Sequence, residues 1–431
     1  MRKTIPLLAL AALLLTTTIF LTKEPRHKFK PALAWQEFEQ AFNQNYAYKD
    51  TVGINSRQLL EQYKALALAS KNEGEFIDVI QILLRYFRDP HLNLGPMNEL
   101  DYSVTPTGSD IWAKSENGKY FIEDLKAGGA ADKAGMQINS EILAIDGLKV
   151  SEAISKVFGG ELSGLSERQK LWGLNIALGG LRYQPREITV KTGRQQQVYR
   201  LAPSYDAVNR SGEGPAITYR KQGKIGYIRF NNSLGKSETV DAFNAAIKQL
   251  LDTSALIIDL RDTPSGGNTG VAEPVLGHFV RQTSVYQLYQ RQQAGIPYHQ
   301  AEMEKAYVKP NPPFYDKPFI VLAGRWTGSM GEGMMIGLDA LGAKAVIGAP
   351  TADLLGGIKN IELSQSNAVL DVGFERMYHV NGSFREDFLA NIVTIPADRG
   401  ENGDDPALDK ALDYFRQNAA NLAVNSSTAT E

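Results

Sequence analysis

The sequence contains no cysteine. That excludes disulfides, thiolate metal sites, a cysteine nucleophile and a lipobox-type lipid anchor. It also has little net charge, 46 basic against 48 acidic residues for a balance of −2. Nothing in that balance points to a nucleic-acid partner. Histidine is scarce, with five in 431 residues, and no His/Asp/Glu spacing resembles a metal site. Neither metal nor cofactor is expected. No internal repeat is visible, and beyond residue 21 no apolar run is long enough to span a bilayer. What remains is ordinary globular material, 43% hydrophobic and 22% charged. Its length suits two or three domains.

Arg2 and Lys3 precede an uncharged, largely apolar run from Ile5 to Leu21, closed by Lys23-Glu24-Pro25-Arg26. This is a secretory pattern and predicts export to a periplasmic or other extracytoplasmic space. The nearest small-x-small site, Ala32-Leu33-Ala34, lies beyond a charged stretch. Residues 1–22 therefore read as a signal peptide or an N-terminal membrane anchor. The basic stretch from Lys23 to Lys30 weighs against an anchor with its N-terminus inside.

Residues 35–95 predict helices. Trp35, Phe38, Phe42 and Tyr46 recur at helical spacing, as do Phe76, Val79, Ile80, Leu83, Leu84 and Phe87. The third helix stops near Arg88-Asp89-Pro90, because proline disfavours a helical residue before it. His91 follows. Residues 100–205 read as a small β-rich domain with a helical insertion from Ser151 to Leu181. Residues 216–415 alternate buried strands and helices, the signature of an α/β layer. A final helix follows Asp404-Asp405-Pro406, and residues 416–431 are expected to be a disordered tail.

Two loops carry chemistry. Gly324 to Gly333 lies between an apolar strand, Pro318 to Ala323, and a helix from Met334. It holds Ser329 among glycines, where free N–H groups and the positive helix end support a nucleophile and an oxyanion. An N-cap serine in a Gly-rich turn would look the same. Asp259 to Asn268 follows another buried strand and contains Gly266-Gly267. Both loops leave a sheet at its carboxyl edge, where ligands bind in open α/β sheets. The amide of Gly266 or Gly267, with that of Met330, would then form an oxyanion hole beside Ser329. No Lys-Ser/Thr follows the glycines, so the pattern is not a P-loop. Thr327 stands where a G-x-S-x-G elbow has its first glycine.

With these parts in this order, the chain resembles family S41 serine peptidases, the tail-specific, C-terminal-processing and tricorn-core enzymes. The shared marks are the helical N-terminal region and the run Ala131 to Gly147, which is similar to the A-x-x-A-G-(L/M) and (D/E)-I-L-x-(I/V)-(D/N)-G pattern of PDZ domains. The strand Gly223 to Phe230, the Asp259-Leu260-Arg261 loop with its Gly-Gly, and the serine loop complete the match. The resemblance implies a crotonase/Clp-like α/β peptidase core with an inserted PDZ-like domain. The processing branch of the family uses a lysine about 25 residues past the serine. Here that position is Leu354, and Lys359 lies past the glycines.

The tricorn-like branch uses a histidine in an L-x-D-x-H pattern, which Phe87-Arg88-Asp89-Pro90-His91 fits except at Phe87. The resemblance thus implies His91 as general base. It also implies a glutamate before the segment Ile392 to Asp398 as orienter. That is Glu386, with Asp387 as rival and two solvated acids as the plain alternative. Glu332 is read as structural. The implied function is an exported serine endopeptidase acting on proteins or peptides, with chain ends captured by the PDZ-like domain. A catalytically inactive PDZ-type peptide-binding scaffold is the rival that the missing lysine motivates. A crotonase-like acyl-transfer enzyme is a third, disfavoured by the PDZ-like segment.

Overall fold

The computed structural model describes residues 28–50, 53–160, 164–205, 213–291, 293, 296 and 298–428. The apolar N-terminal run lies outside these residues. Among them, no helix is long and apolar enough to cross a membrane.

Three amphipathic helices come first: α1 (Pro31–Asn45), α2 (Ser56–Leu68) and α3 (Glu73–Arg85). The start of α3 shows why it forms. Asn72 accepts a bond from the Glu75 N–H at 2.9 Å, while Glu75 accepts from the Lys71 N–H at 2.8 Å. Acids fill the first turn and Arg85 the last, in keeping with the helix dipole. The buried stripes of these helices, with Phe38, Phe42, Phe76 and Ile80, cover one side of an antiparallel sheet at Leu363, Leu370 and Val372. The short strand β1 (Asn93–Gly95) leaves α3 by way of His91 and joins that sheet.

The next segment builds a second sheet. Its elements are β2 (Ile111–Glu116), β3 (Lys119–Leu125), α4 (Ala130–Lys133), β4 (Glu141–Ile145), β5 (Leu148–Lys149), α5 (Val150–Val157), α6 (Glu167–Gly179), β6 (Arg186–Thr192) and β7 (Gln195–Leu201). The order is β2-β3-β4-β6-β7, with β5 on β4. Asn117-Gly118 turns β2 into β3 with both residues at positive φ, the hairpin chemistry expected of Asn-Gly. The helical insertion is thus two helices, α5 and α6. Helix α6 lies along β2, which ends the sheet. The Asn175 side chain accepts the Ala113 N–H at 2.8 Å and returns a longer bond to the Ala113 carbonyl at 3.5 Å. One amide makes both bonds that a neighbouring strand would make.

The remainder comprises β8 (Ile217–Gln222), β9 (Ile225–Phe230), α7 (Glu238–Leu250), β10 (Ala255–Asp259), α8 (Thr269–Leu276), β11 (Ser284–Arg291) and β12 (Glu304–Val308). It continues with β13 (Phe319–Ala323), α9 (Met330–Ala340), β14 (Val346–Gly348), β15 (Gly357–Leu363), β16 (Ala368–Tyr378), β17 (Ile392–Val393) and α10 (Pro406–Thr428). The central sheet runs β17-β14-β13-β10-β9-β8 and is parallel except for β8. Its inner strands β10, β13 and β14 are buried throughout because both faces are covered. Ile228, Ile258 and Val321 face α7, α8 and α9, while Ile257, Ile320 and Ile347 face Ala407, Leu408 and Ala411 of α10. Strands β1, β16, β11 and β12, with β15 paired to β16, make the antiparallel sheet beneath the N-terminal helices.

Helix α10 continues to Thr428, past residue 416 where the tail was expected to begin. After Pro406 the helix contains neither proline nor glycine, and alanine, the best helix former, recurs through it.

Candidate active site

Strands β10 and β13 are parallel neighbours, with Asp259 opposite Leu322. Their loops therefore emerge side by side, and backbone bonds stitch them together. Thr263 N–H donates to the Trp326 carbonyl at 3.1 Å, and Gly328 N–H donates to the Thr263 carbonyl at 3.3 Å. The Thr327 hydroxyl donates to the Leu260 carbonyl at 3.0 Å. The two loops expected to face each other across a crevice are instead joined directly by these bonds.

Ser329 sits at the end of the seam, immediately before α9. Its φ is 50° and its ψ −112°, a conformation that costs a non-glycine residue. Its neighbours 319–328 are buried, whereas Ser329 is partly exposed. Gly266 packs against it so closely that a Cβ there would lie 2.5 Å from Ser329 Cβ and 3.0 Å from Oγ. A Cβ on Gly267 would meet the Leu234 carbonyl oxygen at 2.2 Å. Both positions require glycine for close approach. The Gly266 N–H is committed to the Thr263 carbonyl at 3.0 Å. That favours Gly267 over Gly266 as an oxyanion donor. Met330 opens α9, where an N–H has no intrahelical acceptor.

Beneath the serine turn lies a buried polar cluster. Glu332 accepts four hydrogen bonds: Ser329 N–H at 2.7 Å, Leu354 N–H at 3.2 Å, Asp353 N–H at 3.0 Å and the Thr351 hydroxyl at 2.8 Å. It clamps the serine turn to the loop 351–356. Burial pushes its carboxyl up to about 7, and Asp353 beside it rises to about 6 for the same reason. Leu354 stands where processing peptidases carry lysine, and its side chain lies against Gly328. Lys359 is remote in contact terms: it lies on β15 and its ammonium donates to Asn45 at 2.9 Å.

His91 is placed by the turn after α3. Its N–H donates to Asp89 Oδ1 at 2.9 Å, and Arg88 takes a φ of 55°. The ring is buried, 6% exposed, with Nδ1 3.1 Å from the Leu355 carbonyl oxygen. A carbonyl only accepts, so the neutral ring carries its proton on Nδ1 and its lone pair on Nε2. Burial lowers its pKa to about 4, and the Arg385 charge adds to the effect. Among the described residues no hydrogen bond joins His91 to Ser329. Glu386 points inward and accepts the Tyr48 hydroxyl at 2.7 Å, while its other carboxylate oxygen is buried without a partner. Asp387 is exposed. Asp89, buried near Glu386, is raised to about 7 by desolvation.

Arg385 was not foreseen. No local pattern marks it, since its partners lie at residues 329, 332 and 354. Its guanidinium donates to the Leu354 carbonyl and, at 3.4 Å, to the Ser329 carbonyl. It also lies 3.9 Å from both Glu332 and Glu386. Two further histidines have separate roles. His278 is hydrogen-bonded at both ring nitrogens, to Pro313 and Asn244, and His379 lies 3.2 Å from Asp339.

The β-rich segment touches both loops. Trp326 donates its indole N–H to the Ser109 carbonyl at 2.7 Å, and the Thr107 hydroxyl donates to the Pro264 carbonyl at 2.9 Å. Lys126 pairs with Asp262 at 2.9 Å. Among the described residues no group of acids and histidines could hold a metal ion.

Comparison with known proteins bears on the family and the fold. Residues 224–389 match Peptidase family S41. A carboxyl-terminal-processing protease of Picosynechococcus sp. is 26% identical over 334 residues, covering 74% of this chain and 71% of that protein. The fold is shared with a photosystem II D1 C-terminal processing protease, at TM-score 0.55, 16% identity and coverage of 87% and 96%. Mature CPAF is similar at TM-score 0.57, 12% identity and coverage of 85% and 93%.

Proposed function

Residues 224–389 form a peptidase family S41 domain, and from that we propose a serine endopeptidase that cuts exported proteins near their C-terminal ends through a Ser-His mechanism. The observation that carries it is the strained Ser329 at the start of α9, packed on Gly266. Ser329 Oγ attacks the scissile carbonyl and His91 Nε2 takes its proton. The oxyanion is held by the N–H groups of Gly267 and Met330. His91 then protonates the leaving amine, and water, activated by the same imidazole, releases the acyl group. Glu386, with an oxygen to spare, is the group to orient the imidazolium. Because His91 Nδ1 now faces the Leu355 carbonyl, Glu386 takes up that nitrogen only when the imidazole turns away from the carbonyl.

The name of the Picosynechococcus relative supports chain ends as substrates. The apolar run from Ile5 to Leu21 supports a periplasmic or extracytoplasmic location. A second reading, an inactive peptide-binding scaffold, draws on the absence of a base bonded to Ser329 among the described residues. A fluorophosphonate probe separates the two. Labelling of wild type, lost in Ser329→Ala and at least 10-fold slower in His91→Ala, is the expected result. An unlabelled, folded wild type favours the scaffold, and wild-type labelling of His91→Ala removes His91 as base.

A further inference from the structure

Arg385 is 3% exposed and belongs to a short turn, Arg385–Asp387, between β16 and β17. Its guanidinium meets three segments. It donates to the carbonyl of Ser329, whose φ is strained, and to the carbonyl of Leu354. The next carbonyl along, that of Leu355, is the one facing His91 Nδ1. It is also the cation nearest Glu332 and Glu386. A planar fork with several N–H donors can address two carbonyls and two carboxylates at once; an ammonium cannot.

We propose that Arg385 is a positioning residue for the reaction, fixing the Ser329 turn and the 354–356 loop relative to each other. This rests on the Ser-His reading above. Asp89, on the same turn, accepts the His91 N–H, and the Arg385 charge reaches the ring; Tyr46 and Glu386 interact with Asp89, and Tyr48, Glu332, Asp353 and Glu386 with Arg385. Burial and the Arg385 charge both hold the imidazole neutral. The Nε of Arg385 and one oxygen of Glu386 are buried without partners, so the cluster has hydrogen-bonding capacity left over. That capacity is what a re-paired, substrate-bound arrangement would use.

Two substitutions separate geometry from charge. Arg385→Lys keeps the charge and loses the fork. It should melt within a few degrees of wild type, label with fluorophosphonate at least 10-fold more slowly, and keep the wild-type acid limb. Arg385→Gln loses the charge, so the acid limb of labelling should move to higher pH by at least half a unit. The His91 ring, followed by NMR in a Ser329→Ala background and assigned by its loss in His91→Ala, should titrate at correspondingly higher pH. If Arg385→Gln fails to fold, Arg385→Lys still decides the geometric half. Wild-type labelling in Arg385→Lys, or acid limbs that coincide in Arg385→Gln and wild type, overturns the positioning role. The His91→Ala control keeps these failures distinct: if it labels like wild type, the Ser-His reading itself has failed.

Discussion

The two sides of the candidate site are built differently. The serine side is held by backbone: a seam of main-chain bonds between residues 263 and 328, closed by glycines that admit no Cβ. The histidine side is held by side chains. His91, Asp89, Glu332, Asp353, Glu386 and Arg385 meet in a buried space, with oxygens of Asp89 and Glu386 left unpartnered. Main-chain bonds fix a geometry whatever the pH. A cluster of buried acids around one guanidinium is sensitive to protonation and to small shifts. The proposed nucleophile is therefore preformed, and the proposed base is the adjustable partner.

The strongest challenge to that contrast is Gly266→Ala. Its Cβ would overlap Ser329, and its φ of 63° disfavours any side chain. Misplacing the nucleophile by about 1 Å should slow labelling by about 100-fold. A smaller loss would mean that the seam yields. Glu332→Gln comes next. The carboxylate accepts three N–H groups, and an amide offers only one acceptor oxygen. Labelling should fall about 10-fold, and stability by about 1–3 kcal/mol in urea unfolding.

The pH dependence tests the other side. His91 has a folded pKa of about 4, below its ordinary value of about 6.5. Between those values the unfolded chain binds the proton first, so this residue's share of stability is intact above 6.5 and falls as pH drops toward 4. Glu332 and Asp89, raised to about 7, act in the opposite sense: their share is complete below about 4 and is lost as pH rises through 7. The acid limb of labelling should sit below pH 5. A limb near 6.5 would show that His91 is solvated in the working form. Asn175→Ala should lower stability by about 1–3 kcal/mol by orphaning the Ala113 N–H, with no change in labelling. Finally, Lys359→Met should leave labelling unchanged, and any large loss would revive a lysine base.

Much of this was legible in the sequence. Strand-turn-helix periodicity and glycine placement located Ser329 and the Gly266-Gly267 loop. The resemblance to the L-x-D-x-H pattern, just past the end of α3, singled out His91. Such signals are local, because periodicity and turn chemistry act over a few residues. What they could not carry were partnerships between distant segments: Arg385 on the Ser329 and Leu354 carbonyls, the Leu355 carbonyl on His91, and Asn175 on β2. The inward turn of Glu386 and the outward turn of Asp387 likewise depend on Tyr48, which lies more than 300 residues upstream.

Helix α6 on β2 has a consequence for life among unfolded chains. A sheet that ends in a bare strand is a template on which any extended polypeptide can crystallise, one backbone bond at a time. A peptidase meets extended polypeptides as its trade. By ending its sheet in the side chain of Asn175, this molecule offers them no rung at Ala113 on which to begin.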